Sequence, residues 1–166
     1  INDVYITYNT GGDGAGVECD SSNPVFLNVV ISYNSFESHG GGIYLVNSHP
    51  IFTNVIISNN YGGYRSGGMQ IGGNSYPTLT NVTITDNTAY EGGGGMYLNF
   101  SHPAITHVII SGNMATSQGG GLILFDSHPT LMGVTIANNT ADTGGGMDLE
   151  DSDPTLMGVT IANNTA

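Results

Sequence analysis

The feature that most constrains this chain is that it repeats itself. Residues 126–141 (DSHPTLMGVTIANNTA) recur as residues 151–166 (DSDPTLMGVTIANNTA), 25 residues on and with one substitution. Weaker copies run back to the start through a Val-x-Ile-x-x-Asn core. Its valine falls at Val4, Val29, Val55, Val82, Val108, Val134 and Val159, in steps of 25, 26, 27, 26, 26 and 25. Its asparagine falls at Asn9, Asn34, Asn60, Asn87, Asn113, Asn139 and Asn164. A period of this length describes a unit too small to bury its own apolar face, so each unit must stack on the next.

Each unit contains three segments with strand character. Val82 to Thr85 alternates apolar and polar, which sets Val82 and Ile84 on one face and Thr83 and Thr85 on the other. A glycine-rich turn leads to a second segment whose inward pairs are Val17/Cys19, Ile43/Leu45, Met69/Ile71, Met96/Leu98, Leu122/Leu124 and Met147/Leu149. A corner of the Asn-Ser-His-Pro type follows. The third segment carries Phe26, Phe52, Leu79, Ile105, Leu131 or Leu156. Glycine and proline interrupt every window that might otherwise read as a helix, which excludes an α-solenoid. Strands that pair with their own copies one repeat later form parallel sheets at a spacing of about 4.8 Å. The expected fold is therefore all-β: a parallel β-helix of about seven coils of 25–27 residues, three short strands per coil. Crossovers between parallel strands are right-handed in nearly all cases, so the helix should be right-handed, with a stack on the order of 30 Å long.

Residues 1–166 read as a single domain. With no capping helix or polar terminal coil in view, the expectation is a segment of a longer array or a subunit that stacks end to end. One Lys or Arg stands against 13 Asp or Glu, and a formal charge of −12 excludes nucleic acid as a partner. Hydrophobic residues make up 39% of the chain, so it is no disordered acidic tail. No window approaches the roughly 18 consecutive apolar residues of a membrane span. The lone Cys19 excludes an internal disulfide framework and any CxxC metal site. The chain opens at Ile1 without a basic, then apolar, leader, so a signal sequence is expected to have been removed or to lie outside it.

The pattern Gly-Gly-[Ile/Met/Leu], at Gly42-Ile43, Gly68-Met69, Gly95-Met96, Gly121-Leu122 and Gly146-Met147, together with hydrophobic-x-x-Asn, resembles the right-handed β-helix repeats of bacterial surface proteins. The chlamydial polymorphic outer-membrane proteins, with GGA[IVL] and FxxN motifs, carry a similar pattern. This chain has Gly where they have Ala and Ile where they have Phe, and residues 1–166 contain no autotransporter barrel. The resemblance covers the whole chain and implies a secreted or cell-surface location, in a bacterium.

Among the recurrent residues, the asparagine column reads as a ladder of stacked amides at the corner after the first strand. Identical amides in register satisfy one another, and Asn also tolerates left-handed backbone. The glycine pairs read as sharp corners needing positive φ. Gly11-Gly12-Asp13-Gly14 has the look of a calcium-binding Gly-Asp repeat but occurs once. His49, His102 and His128 share a column with Asn23, Tyr76 and Asp153, each before a proline, and read as exposed corner residues; a metal held by His102 and His128 is the sharper alternative. Cys19 shares the column of Leu45 and Ile71 and reads as a buried small hydrophobe.

The densest acidic group comprises Asp126 and Asp151 in one column, with Asp148, Glu150 and Asp153 around them. Stacked carboxyls about 5 Å apart would suit retaining glycoside hydrolysis or calcium ligation. The column holds Asn47, Asn74 and Phe100 in earlier coils, which favours a solvated acidic edge. Polysaccharide lyases of this architecture use Lys or Arg as base, and this chain offers only Arg65. A third class is ice binding, on the outward rows of the first strand: Tyr5, Val30, Ile56, Thr83, Ile109, Thr135 and Thr160 beside Thr7, Ser32, Ser58, Thr85, Ser111, Ala137 and Ala162. The leading expectation is a non-enzymatic structural or adhesive β-helix without cofactor. Its expected partners are its own copies, end to end or laterally, further repeats of the same polypeptide, or a glycan or host surface.

Overall fold

A computed structural model describes residues 1–37 and 39–166. The walls are parallel sheets in which each strand pairs with its copy one coil away. Sheet I has seven strands: Tyr5–Thr7, Val30–Ser32, Ile56–Ser58, Thr83–Thr85, Ile109–Ser111, Thr135–Ala137 and Thr160–Ala162. Sheet II has six four-residue strands: Val17–Asp20, Ile43–Val46, Met69–Gly72, Met96–Asn99, Leu122–Phe125 and Met147–Glu150. Sheet III has six strands: Val25–Leu27, Ile51–Thr53, Thr78–Thr80, Ala104–Thr106, Thr130–Met132 and Thr155–Met157. The register keeps equivalent residues in line, so that Ile84 sits between Ile57 and Ile110, and Ile71 between Leu45 and Leu98.

Beside the three expected strands, the structure adds a fourth. Ser35–Phe36, Tyr61–Gly62, Thr88–Ala89 and Met114–Ala115 form sheet IV, in the turn between sheets I and II. These strands are two residues long and show no apolar alternation, which is why the period-2 pattern does not reveal them.

The core is a set of columns along the axis. Val29, Val55, Val82, Val108 and Val134 form one, and Ile31, Ile57, Ile84, Ile110 and Ile136 the next, all at most 1% exposed. Ile43, Met69, Met96 and Leu122 pack across from them. Phe26 stacks on Phe52 with ring centroids 4.7 Å apart. Each inward side chain stacks on the equivalent apolar residue of the neighbouring coils, so the apolar surface of one coil is sealed by the next.

The corners are made by left-handed residues that fall in columns of their own. Ser21, Asn47, Asn74, Phe100, Asp126 and Asp151 close sheet II, with φ between 46° and 60°. Asp3, Asn28, Asn54, Asn81 and His107 turn sheet III into sheet I, with φ between 51° and 54°. Asn and Asp predominate because their short polar side chains tolerate this conformation best after glycine.

Candidate functional site

The asparagine column is a continuous hydrogen-bonded ladder. Asn60 donates both its backbone N–H and its Nδ2–H to Oδ1 of Asn87, each at 3.0 Å. Asn87 in turn donates Nδ2–H to Oδ1 of Asn113 and to the carbonyl of Ile57, each at 3.0 Å. The same pattern links Asn9, Asn34, Asn60, Asn87, Asn113, Asn139 and Asn164, so every interior amide ties three coils together. The left-handed residue is not the ladder asparagine but the one before it, as at Tyr33, Asn59, Asp86 and Asn138. The amide itself is held in place for pairing, and its neighbour makes the bend.

The glycine pairs need a correction of the same kind. Positive φ belongs to the residue before each pair: Gly40, Gly93, Gly119 and Gly144. The pairs themselves are small because the next coil lies against them. A Cβ on Gly95 would stand 2.6 Å from the carbonyl oxygen of Gly121 and 3.0 Å from Nδ2 of Asn113. Gly42, Gly68 and Gly121 meet the same obstruction. Glycine here makes room for the ladder.

Two further ladders run through the Asn-Ser-His-Pro corner, where the sequence reading expects only exposed corner residues. The serine column Ser22, Ser48, Ser75, Ser101, Ser127 and Ser152 passes a backbone N–H of each coil to the hydroxyl of the next, at 2.9 to 3.3 Å. The signal was there, since this column is serine in every coil whereas the neighbouring His column is not. The second runs along His49, Tyr76, His102 and His128, whose rings follow one another at centroid distances of 5.3, 5.5 and 5.2 Å. Nδ1 of His49, His102 and His128 accepts the backbone N–H of the next coil, from Tyr76, His128 and Asp153. Asn23 does the same for His49 through Oδ1. These nitrogens must carry a lone pair, so the ring proton resides on Nε2. The rings of His102 and His128 are parallel within 6°, and Nδ1 of each is committed to a backbone N–H.

The acidic residues are distributed rather than gathered. Asp148 and Glu150 lie on the outward rows of sheet II, in register with Ile123 and Phe125. Asp126 and Asp151 occupy the left-handed corner beyond it, at φ 46° and 47°. Asp148 accepts a hydrogen bond from Thr143 at 3.4 Å, and the backbone of Asp153 is engaged by His128. Among the described residues no three His, Cys, Asp or Glu side chains come together in a group that could hold a metal ion.

The two outward rows of sheet I are in register along the whole stack. Ile56 and Ile109 are exposed, while Ser32 is buried and the Thr85 hydroxyl is engaged with Asp86 and Ser111. Cys19 is buried at the inner side of sheet II. Burial, and secondarily the nearby Glu18 carboxylate, push its thiol above the ordinary value, which makes it a poor nucleophile.

Parallel walls, a columnar core and polar ladders define a β-solenoid that coils as a parallel β-helix. The chain matches the family described as "right handed beta helix region" over residues 1–166 and belongs to it. It matches no curated protein and no solved structure at a significant level.

Proposed function

We propose that this chain is a non-enzymatic structural and adhesive β-helix, serving as a stalk, adhesin or filament component on a bacterial surface or in the secreted space. The observation that carries the reading is axial continuity. Successive copies of the core lie 25 to 27 residues apart, so nothing longer than two residues is inserted anywhere to build a catalytic cleft. The recurrent polar residues bond to their counterparts in neighbouring coils, through the asparagine, serine and His/Tyr columns. Asp126 and Asp151 fit the same logic, because left-handed corners favour such side chains whether or not they do chemistry. The likeness of the Gly-Gly and hydrophobic-x-x-Asn pattern to chlamydial surface repeats supports the location, as does a surface with 13 acidic residues and one basic one.

The partners that suit this reading are further coils of the same kind. Exposed Val25 and Ile51 on sheet III, and Ile56 and Ile109 on sheet I, offer aliphatic surface for lateral packing. Light scattering and electron microscopy of the purified chain test it. Rods or laterally paired particles that vanish in Ile56→Lys with Ile109→Lys are expected. Hydrolysis of a neutral glycan, lost in Asp126→Asn with Asp151→Asn, would overturn the non-enzymatic reading.

A further inference from the structure

One coil departs from the repeat in a way that neither core nor ladder explains. Along sheet II an outward row reads Glu18, Tyr44, Gln70, Tyr97, Ile123 and Asp148. Gln70 stands between the two tyrosines and is 5% exposed. Its Oε1 is buried without a hydrogen-bond partner, the one such side-chain atom found among the described residues. Burying an unpartnered amide oxygen is costly, and native proteins keep such atoms where something else uses them.

Three more departures lie beside it. In the adjoining outward row Gly72 separates Val46 from Asn99, and a Cβ there would find only the carbonyl oxygens of Asn99 and Leu45, at 3.8 and 3.9 Å. That leaves a notch the size of a methyl group. Arg65 is the chain's single Lys or Arg. Its guanidinium carbon lies 5.0 Å from the Tyr97 ring centroid and 5.6 Å from that of Tyr64, and among the described residues no carboxylate is in ion-pair reach of it. Burial raises the phenols of Tyr44 and Tyr97 above their ordinary value while Arg65 pulls both down, so its charge reaches across the Gln70 row. Ser66 is held at φ 38° where other coils place Gly40, Gly93, Gly119 and Gly144. A strained residue, an unpaired cation, an orphaned amide and a missing side chain therefore coincide in one coil.

We propose that Gln70, Arg65 and Gly72, flanked by Tyr44 and Tyr97, bind the acetamido group of an N-acetylated hexose. The acetamido N–H donates to Gln70 Oε1, its carbonyl accepts from the Arg65 guanidinium, and its methyl enters the notch at Gly72 against Val46. The pyranose ring then lies on a tyrosine face. Oε1 is buried in the ligand-free chain, so binding requires a neighbouring side chain to swing aside and admit the acetamido group. A neutral ligand suits a chain of charge −12, which repels anions. A peptide carries the same amide, but Met69–Gly72 is already paired on both sides, by Ile43–Val46 and Met96–Asn99, and leaves no edge for a peptide strand. The site does not depend on whether the chain also assembles with its own copies.

The single arginine makes the test specific, because its Nε–Hε pair gives one side-chain signal in a nitrogen-15 correlation spectrum of the whole labelled chain. Titration with N-acetylglucosamine and with N-acetylgalactosamine is expected to shift that signal for at least one of the two, while glucose and galactose leave it in place. Gln70→Leu is expected to weaken binding about tenfold or more, the loss of one hydrogen bond, while unfolding no earlier than the native chain. Gly72→Ala fills the notch and should weaken binding of the N-acetyl sugar without lowering stability, which keeps the proposal testable if the first variant folds badly. Equal shifts with glucose, no shift with either N-acetyl sugar, or undiminished binding in both variants would overturn it. So would a response to N-acetylalanine methylamide alone, which would assign the site to peptide.

Discussion

Replacing Asn87 with Ala removes the centre of the asparagine ladder. Asn87 is wholly buried, and its Oδ1 is the acceptor for both the backbone N–H and the Nδ2–H of Asn60. Its own Nδ2 serves Asn113 Oδ1 and the Ile57 carbonyl. Alanine leaves two donors of Asn60 facing a dry gap and takes a donor from Ile57. Asn113 Oδ1 keeps only the backbone N–H of residue 87. An orphaned buried group costs about 1–3 kcal/mol, so the loss of three partners sums to about 3–9 kcal/mol, a large part of the roughly 5–15 kcal/mol available to a domain. Asn9→Ala is the matched control. Asn9 is exposed and donates to Asn34 Oδ1 at 3.0 and 2.9 Å, and its removal strands no buried donor. That change should cost under about 1 kcal/mol. Asn87→Asp keeps an acceptor for Asn60 but turns a carboxylate oxygen toward Asn113 Oδ1 and Ile57 O, and should be no better than alanine. Urea unfolding followed by circular dichroism reads the totals. Hydrogen exchange at the amides of Asn60 and Asn113 shows whether the damage stays in the flanking coils, as nearest-neighbour stacking requires. If Asn87→Ala costs no more than Asn9→Ala, the ladder is not what holds the coils together.

Gly95→Ala should lower stability by about 1–3 kcal/mol, because its Cβ would meet the Gly121 carbonyl at 2.6 Å, whereas Gly11→Ala, with nothing within 4 Å, should be neutral or slightly stabilising in the same thermal melts. His102→Phe keeps the ring stack but strips the acceptor from the His128 N–H and should cost about 1 kcal/mol, whereas His102→Asn, copying Asn23, should recover it. Cys19 should resist iodoacetamide at pH 8 until the chain is unfolded, and rapid alkylation of the folded chain would contradict its burial. Cys19, Tyr44 and Tyr97 all titrate above their ordinary values of 9.0, 10.0 and 10.0 in the folded chain. The unfolded chain releases these protons first, so their contribution is complete below pH 9.0 and is lost as the pH climbs through the folded values; unfolding midpoints that rise in that range would refute the assignment.

What could be read from the sequence was whatever recurs with an apolar period. Val82 and Ile84 alternate with threonine, and that alternation, repeated at a step of 25 to 27 residues, specifies inward columns and parallel pairing together. Sheet IV escaped because Ser35–Phe36 and its copies are too short to show a period. The bend before each ladder asparagine escaped because Tyr33, Asn59, Asp86, Gly112 and Asn138 share a backbone conformation without sharing chemistry. The role of Gly95 depends on what the next coil places against it, a distance that no single repeat contains. Gln70 and Gly72 were the hardest to see for the opposite reason: they are exceptions, and a repeat-based reading averages exceptions away.

Columns of identical residues have a consequence for assembly. In an ordinary domain each core contact joins unlike side chains, and the complementarity belongs to that pair alone. Here Ile84 meets Ile57 and Ile110, and Asn87 meets Asn60 and Asn113, so the upper face of a coil is complementary to the lower face of nearly every other coil. A slip by one residue would turn the inward set outward and is forbidden, but a shift by a whole coil preserves every column. Residues 126–141 and 151–166 come closest to full interchangeability. Such a chain is specified along its axis by chemistry that a second copy also carries, which is the property a stalk or filament needs and an active site does not. The coil holding Arg65, Ser66, Gln70 and Gly72 breaks this equivalence: it gives up a glycine at a left-handed turn and a satisfied amide without improving any column. Sacrifices of that kind concentrate where a protein meets something other than itself.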